Sequence, residues 1–171
     1  MTRTLLIGYG NPGRLDDGLG PACAQAVETL SLPGVTVETN YQLNVEDAAL
    51  LAGCDVVVFA DASVSGDGPF ELRPVAPAEE LSFSTHSVGP GALVALARDL
   101  YRATPRAFTL AIRGYEFNEF EERLSERATS NLDAAVEFIA RAIRHDRLEA
   151  GAEIQAGPGP TGPEPNGRTE T

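Results

Sequence analysis

LLIGYGNPGRLDDGLG, residues 5–20, decides how the chain is read. An apolar run leads into Gly8-x-Gly10-x-x-Gly13, the spacing of a dinucleotide-binding loop. Such a loop brings a helix N-terminus against a pyrophosphate, and its glycines permit close approach. Here two acids, Asp16 and Asp17, occupy the helix mouth that would receive phosphate. The helical pattern starts only near Leu19, so the loop is longer than a dinucleotide fingerprint needs. Glu38, at the end of the next strand, could still imitate a ribose-binding acid. A nucleotide-binding oxidoreductase of Rossmann type therefore stays open as an alternative.

Outward from this loop, strands and helices alternate. Residues 4–7 form an apolar strand, and residues 19–30 carry Leu19, Cys23, Ala26, Val27 and Leu30 at helical spacing before Pro33-Gly34. Residues 35–38 alternate as a second strand. Asn44 is placed to cap a short helix through Leu51, with Asp47 reaching back. DVVVFA, residues 55–60, is the strongest strand, and its unbroken apolar character suits a centre covered on both faces. Residues 70–75, bracketed by Pro69 and Pro74, read as a strand near an edge. A helix over 87–101, a strand over 107–112 and a helix over 129–143 complete the pattern, the last with Leu132, Val136, Ile139 and Ile143 inward. Residues 118–126 are charged and read as loop or a helical turn. The expectation is an α/β three-layer sandwich, a mostly parallel twisted sheet with helices on both faces. Residues 1–147 form a single domain. Residues 148–171, rich in Gly and Pro, read as a disordered tail.

The chain has 171 residues, 43% hydrophobic and 22% charged, as one globular domain would. Its net charge of -12 argues against nucleic acid and against an anionic membrane surface, and favours a cationic peptide or a metal ion. No apolar run approaches a membrane span and no secretory signal is visible, so no membrane partner is expected. Two cysteines, Cys23 and Cys54, without a C-x-x-C, make no disulfide framework. A reducing, cytoplasmic location follows as an expectation.

In mostly parallel sheets ligands sit outside the carboxyl ends of the strands. The polar residues expected there are the Asn11–Asp17 loop, Asp61 after the central strand, Ser84-Thr85-His86 before a helix, and residues 113–116 after the last strand. Asp17, Asp61 and His86 could converge on one crevice, where two carboxylates and an imidazole suit a divalent transition ion. For each there is a plainer reading: a helix N-terminal charge for Asp17, a hydrogen-bonded strand-end acid for Asp61, a satisfied buried histidine for His86. His145, beside Arg144 and Arg147, reads as surface.

Three segments together resemble the hydrogenase maturation proteases, endopeptidases that trim the large subunit of NiFe hydrogenases. GYGNPGRLDDGLGP is similar to their opening motif, FADAS to an Asp after the central strand, and STHSVGPGAL to a Ser-x-His-x-x-Gly at a helix start. The motifs occur in the family's order across residues 4–145. The resemblance implies metal contacts from Asp17, Asp61 and His86, with Asp17 at a position often occupied by Glu. It matches Asn11 to the family's loop Asn, with a local structural or substrate-orienting role. It implies a monomer whose partner is a hydrogenase large-subunit precursor carrying nickel near its C-terminus. The metal would serve as a recognition element for the C-terminal extension.

Two departures bear on specificity. Many members carry an Asp-Gly-Gly-Thr-like segment after strand two, where this chain has Asn40-Tyr41-Gln42-Leu43-Asn44. The segment RGYEFNEFEE also lacks the form of the better-known members. Tyr41, Gln42, Arg113, Tyr115 and Glu116 are therefore candidate substrate-binding residues, or merely close the rim of the fold. No H-E-x-x-H is present, and no Ser-His-Asp or Cys-His pairing can be argued. Two catalytic routes remain: a metal that polarises the carbonyl and activates water, or Asp17 or Asp61 as general base. A non-catalytic, metal-binding maturation chaperone is a further alternative.

Overall fold

The computed structural model describes residues 1–80, 88–148 and 154–155. β1 (Thr4–Tyr9) is followed by a 3-10 turn (Leu15–Gly18) that runs into α1 (Leu19–Thr29). β2 (Val35–Asn40), α2 (Ala48–Leu51), β3 (Val56–Ser63), β4 (Phe70–Pro74), α3 (Pro90–Tyr101), β5 (Arg106–Arg113) and α4 (Glu126–Arg144) follow, with a short β6 (Ile154–Gln155) last. The strand order is β2-β1-β3-β5-β4-β6. β2, β1, β3 and β5 are parallel, whereas β4 is antiparallel to β5 and to β6. The expected α/β sandwich is therefore present.

Strand alternation sorts the core into two layers. Leu6, Val56, Val58 and Ala60 face one way, against Leu19, Cys23 and Val27 of α1 and Ala128, Ala135 and Ile139 of α4. Leu5, Ile7, Val57 and Phe59 face the other way, against Leu51 of α2 and Leu93, Val94 and Ala97 of α3. Val56 through Ala60 are buried on both faces, as the unbroken apolar run requires. Each fully buried large side chain, such as Phe59 or Leu93, contributes roughly 1.5–3 kcal/mol. A charge at Val58 would break the centre of the sheet.

Several boundaries differ from the sequence reading. α4 starts at Glu126 because Ser125 caps it, its Oγ accepting the Ala128 N–H at 3.2 Å. α3 starts at Pro90, with Gly89 as its cap; residues 81–87 lie outside the described residues. Its last turn leads through residues 102–105 straight into β5, so α3 enters from the carboxyl edge of the sheet. The short helix after β2 does open with the expected reach-back, the Asn44 N–H donating to Asp47 Oδ2 at 2.9 Å. Leu148, placed at the start of the tail by composition, is instead 3% exposed in the α1–α4 layer. Ile154–Gln155, also in that segment, pairs with Leu72 and Glu71 of β4. An open strand edge presents unpaired backbone groups, and this short pairing covers part of one.

Candidate active site

The loop after β1 is built by close backbone packing. A Cβ at Gly8 would stand 2.1 Å from the Gly20 carbonyl oxygen, so β1 and the start of α1 touch directly. Gly10 has φ 140°, and a Cβ there would stand 2.1 Å from the Asp17 carbonyl oxygen. Both glycines therefore serve the turn and the packing of α1. The Asn11 N–H, which a phosphate-binding loop would offer to its ligand, donates to Asp17 Oδ2 at 2.9 Å. Asn11 Oδ1 accepts the Gly13 N–H at 2.9 Å, closing a local turn. Asn11 thus holds the loop and orients Asp17.

Leu15, just before the acids, adopts φ 50° while its side chain is buried. This left-handed residue costs about 1 kcal/mol and turns the chain so that consecutive acids part ways. Asp16 points inward and is fully buried. It accepts from the Tyr115 N–H (2.8 Å), the Glu116 N–H (2.9 Å), the Ser125 N–H (2.7 Å) and the Ser125 hydroxyl (2.7 Å). Burial alone would raise its pKa, but these hydrogen bonds win and hold the carboxyl below its ordinary value. Asp16 so fastens the segment after β5 and the cap of α4 to the loop that carries Asp17. Its own N–H and that of Leu15 return bonds to the Glu116 and Glu121 carbonyls at 2.9 and 3.0 Å.

Asp17 and Asp61 are both partly buried, at the carboxyl ends of β1 and β3. Asp61 follows Val57 and Phe59 in the alternation and so lies on the α2–α3 side of the sheet. Tyr9 follows Leu5 and Ile7 on that same side, one step beyond the Gly8–Ala60 pair. Its phenol is within reach of a hydrogen bond to Asp61. Burial pushes the Asp61 carboxyl up to about 6, against the Ala62 N–H, which donates to Oδ1 at 2.8 Å, and against Tyr9; the nearby Asp17 charge pushes it further up. Burial, with the Asp61 charge, also raises the Tyr9 phenol. The two carboxylates are therefore electrostatic neighbours. His86 lies outside the described residues. Among the described residues no group of three or more His, Cys, Asp and Glu side chains is placed to hold a metal ion.

The candidate rim residues fall on two sides of this pair. Tyr41 and Gln42 follow β2 and are exposed, Tyr41 by 73%. Arg113 ends β5 and Tyr115 and Glu116 follow it, beyond β1 and β3 in the sheet. Two guanidinium groups lie over the Tyr115 ring, with Arg113 Cζ at 4.8 Å and Arg127 Cζ at 3.8 Å from its centre. The Asn131 amide donates to the Tyr115 hydroxyl at 3.0 Å and to the Arg113 carbonyl at 2.9 Å. Glu116 is exposed and pairs with Arg123 at 3.3 Å. Burial pushes the Cys23 thiol up to about 12 and, with the Asp55 charge, the Cys54 thiol up to about 11, keeping both as thiols at neutral pH.

Sequence reasoning missed Tyr9, the holding role of Asp16, and Arg127 with Asn131. Tyr9 had a signal, since period two along both strands puts it beside Asp61 on one face. Asp16 and Arg127 had none, because their partners are far along the chain.

No protein-family model matches the sequence, and no curated protein matches it. Solved structures do match in fold. The [NiFe] hydrogenase maturation protease HycI from Thermococcus kodakarensis KOD1 is 23% identical, with a TM-score of 0.67 over 84% of this chain and 93% of that one. The hydrogenase maturating endopeptidase HybD from E. coli is 19% identical, with a TM-score of 0.65 over 90% of this chain and 97% of that one. The hydrogenase 2 maturation peptidase from Thaumarchaeota archaeon SCGC_AB-539-E09 is 20% identical, with a TM-score of 0.61 over 83% of this chain and 98% of that one. The chain therefore has the fold of these maturation peptidases over nearly their whole length.

Proposed function

We propose that this protein is a hydrogenase maturation endopeptidase, a hydrolase that removes the C-terminal extension of a NiFe-hydrogenase large-subunit precursor. The observation that carries the reading is the placing of Asp17 and Asp61 at neighbouring carboxyl ends, on a fold shared with three peptidases of that kind. The dinucleotide alternative loses its main support, since Asp17 takes the Asn11 N–H and Gly8 and Gly10 serve packing.

In this reading nickel arrives with the precursor and is part of the substrate. Asp17, Asp61 and His86 are its proposed contacts. Asp17 Oδ2 accepts the Asn11 N–H and Asp61 Oδ1 accepts the Ala62 N–H, with the Tyr9 phenol a second donor to Asp61. Bound there, the metal would polarise the scissile carbonyl. This chain's own share is positional and protolytic. Asn11 fixes the Asp17 rotamer, and Tyr9 flanks Asp61. Asp61, with its carboxyl near neutrality's lower side at about 6, is suited to take a proton from the attacking water and pass it to the leaving amine. Asn11 supports the site through the loop, while Tyr41, Gln42, Arg113, Tyr115 and Glu116 form the proposed substrate rim.

The protein is proposed to act as a monomer in the cytoplasm; among the described residues no helix is long and apolar enough to cross a membrane. Mass spectrometry of a large-subunit precursor, incubated with this protein with and without nickel, tests the reading. The expected result is nickel-dependent loss of a short C-terminal peptide. A stable complex with an uncut precursor would indicate a chaperone instead.

A further inference from the structure

The two edges of the sheet are finished differently. β6 covers part of the outer side of β4, at Glu71 and Leu72. β2, at the opposite edge, pairs only with β1 among the described residues. The Thr4 N–H donates to the Gly34 carbonyl at 2.9 Å, and the Gly10 N–H to the Asn40 carbonyl at 3.1 Å. In a parallel ladder bonded at those two points, the backbone groups of Thr36, Glu38 and Asn40 face β1. Those of Val37 and Thr39 face away from the sheet and meet no protein partner among the described residues. The β1–β2 register is unbroken from Val35 to Asn40, so no bulge turns this edge aside. No Pro or Lys interrupts the strand, and its one charge, Glu38, alternates with Val35 and Val37 and so lies on the α2 side.

A pocket of about 490 Å³ opens at the carboxyl end of this edge. Thr39 lines it together with apolar Pro12, Pro21, Ala22 and Leu124. Its charged members, Glu122 and Arg123, are exposed. Pro12 follows Asn11 and Gly18 follows Asp17, and both border the pocket, so it adjoins the loop of the candidate site.

We infer that the free edge of β2 receives an extended segment of the peptide substrate, which pairs with Val37 and Thr39 and sets an apolar side chain in the pocket beside the Asp17 loop. The inference rests on the peptidase reading for the identity of that substrate. A segment added to a sheet edge is held by backbone bonds whatever its sequence, and pockets for alternate side chains supply selectivity. β1 and β2 are parallel and end together at Tyr9 and Asn40. A strand laid along β2 therefore delivers its continuation to the sheet edge where Asp17 and Asp61 stand. A second copy of this chain is the other partner such an edge could take. It would bring one net charge of -12 against another, which opposes that pairing.

Thr39→Pro removes one outward N–H and puts its ring where the added strand would lie, while the bonds to β1 stay intact. With the fold verified by circular dichroism, it should raise KM for precursor processing by about tenfold, with kcat changed less than about twofold. Ala22→Phe fills the pocket and should raise KM by about the same factor. Thr36→Val, on the same strand with its backbone turned to β1, should leave KM unchanged. Separately, a synthetic peptide of the precursor's C-terminal residues, titrated into the full chain, should shift the amide NMR signals of Val37 and Thr39. The Val37 shift should be lost in Thr39→Pro. If the wild type cuts the precursor but either Thr39→Pro or Ala22→Phe leaves KM where it was, the docking inference fails and the peptidase reading stands. If the wild type does not cut, the peptidase reading fails and the titration decides: shifts at Val37 and Thr39 keep a peptide-binding edge, and none there overturn it. A wild-type dimer in sedimentation that Thr39→Pro splits would give the edge to a second copy and overturn the inference.

Discussion

Tyr9 and Asp61 stand side by side on one face of the sheet, one step past the last pair of the β1–β3 ladder. The phenol can donate to the carboxylate, yet burial dominates and leaves the Asp61 carboxyl at about 6. A strand-end acid with this environment is ionised only above mildly acidic pH, and the neighbouring Asp17 makes that ionisation harder. The proton chemistry proposed for the site begins from this pair.

Processing should therefore follow the ionisation of Asp61. The expected kcat/KM rises as pH increases through about 6 and then levels off. Asp61→Asn should abolish processing at all pH values while the fold, followed by circular dichroism, persists. Normal processing by Asp61→Asn would remove Asp61 from the mechanism.

The same shift sets a stability signature. The folded value of Asp61 lies above its ordinary 3.8, so its contribution is most favourable below that value and is lost as pH rises through about 6. Relative to wild type, Asp61→Asn should gain roughly 2 kcal/mol between about pH 4 and pH 7. Urea unfolding at the two pH values measures the difference, and a constant offset would contradict it.

Asp16 carries the opposite sign. Its hydrogen bonds depress its pKa, so its contribution is present above the ordinary carboxylate value and lost as pH falls through the folded one. Asp16→Asn puts an amide against N–H donors and should cost at least about 2 kcal/mol, since bonds to a charged acceptor are worth about 1.5–3 kcal/mol each. Amide exchange should show the earliest loss of protection in residues 114–125.

The glycine packing gives a third stability test. A Cβ at Gly20 would lie 2.2 Å from the Tyr9 carbonyl oxygen and 2.6 Å from that of Ala60. Neither backbone can yield without moving β1 or β3, so Gly20→Ala should destabilise by about 1–3 kcal/mol or more. A Cβ at Gly89 meets nothing within 4 Å among the described residues, and Gly89→Ala serves as the control. Thermal melts of the two variants should separate clearly.

The Asn11 N–H bond to Asp17 predicts that dinucleotides do not occupy this loop. NAD, NADP or FAD at millimolar concentration should leave the melting temperature unchanged. A dose-dependent rise would return the oxidoreductase reading.

The unbroken apolar run at residues 55–60, period 3.6 in α1 and α4, and the glycines between them suffice to read an α/β sandwich and to set Asp17 and Asp61 at strand ends. Those features depend on neighbours within a turn or a strand, where backbone geometry alone dictates which side a residue faces. The start of α4 at Glu126 is not legible in the pattern, because its cap, Ser125, follows a charged stretch with no apolar period. Leu148 and Ile154–Gln155 are hidden in a Gly/Pro-rich stretch, because composition averages mask single residues that meet the core and the β4 edge.

Local pattern alone fixes the layered α/β architecture and the sheet edge on which the chemistry gathers. Long-range packing settles which acid of the Asp16–Asp17 pair turns inward and which cations meet the Tyr115 ring. Those choices rest on donors at Tyr115, Glu116 and Ser125, some hundred residues from Asp16, and on Arg127 reaching a ring in another element. Contacts so distant leave no local periodicity; they are set when the core closes and every buried carboxylate must find its donors.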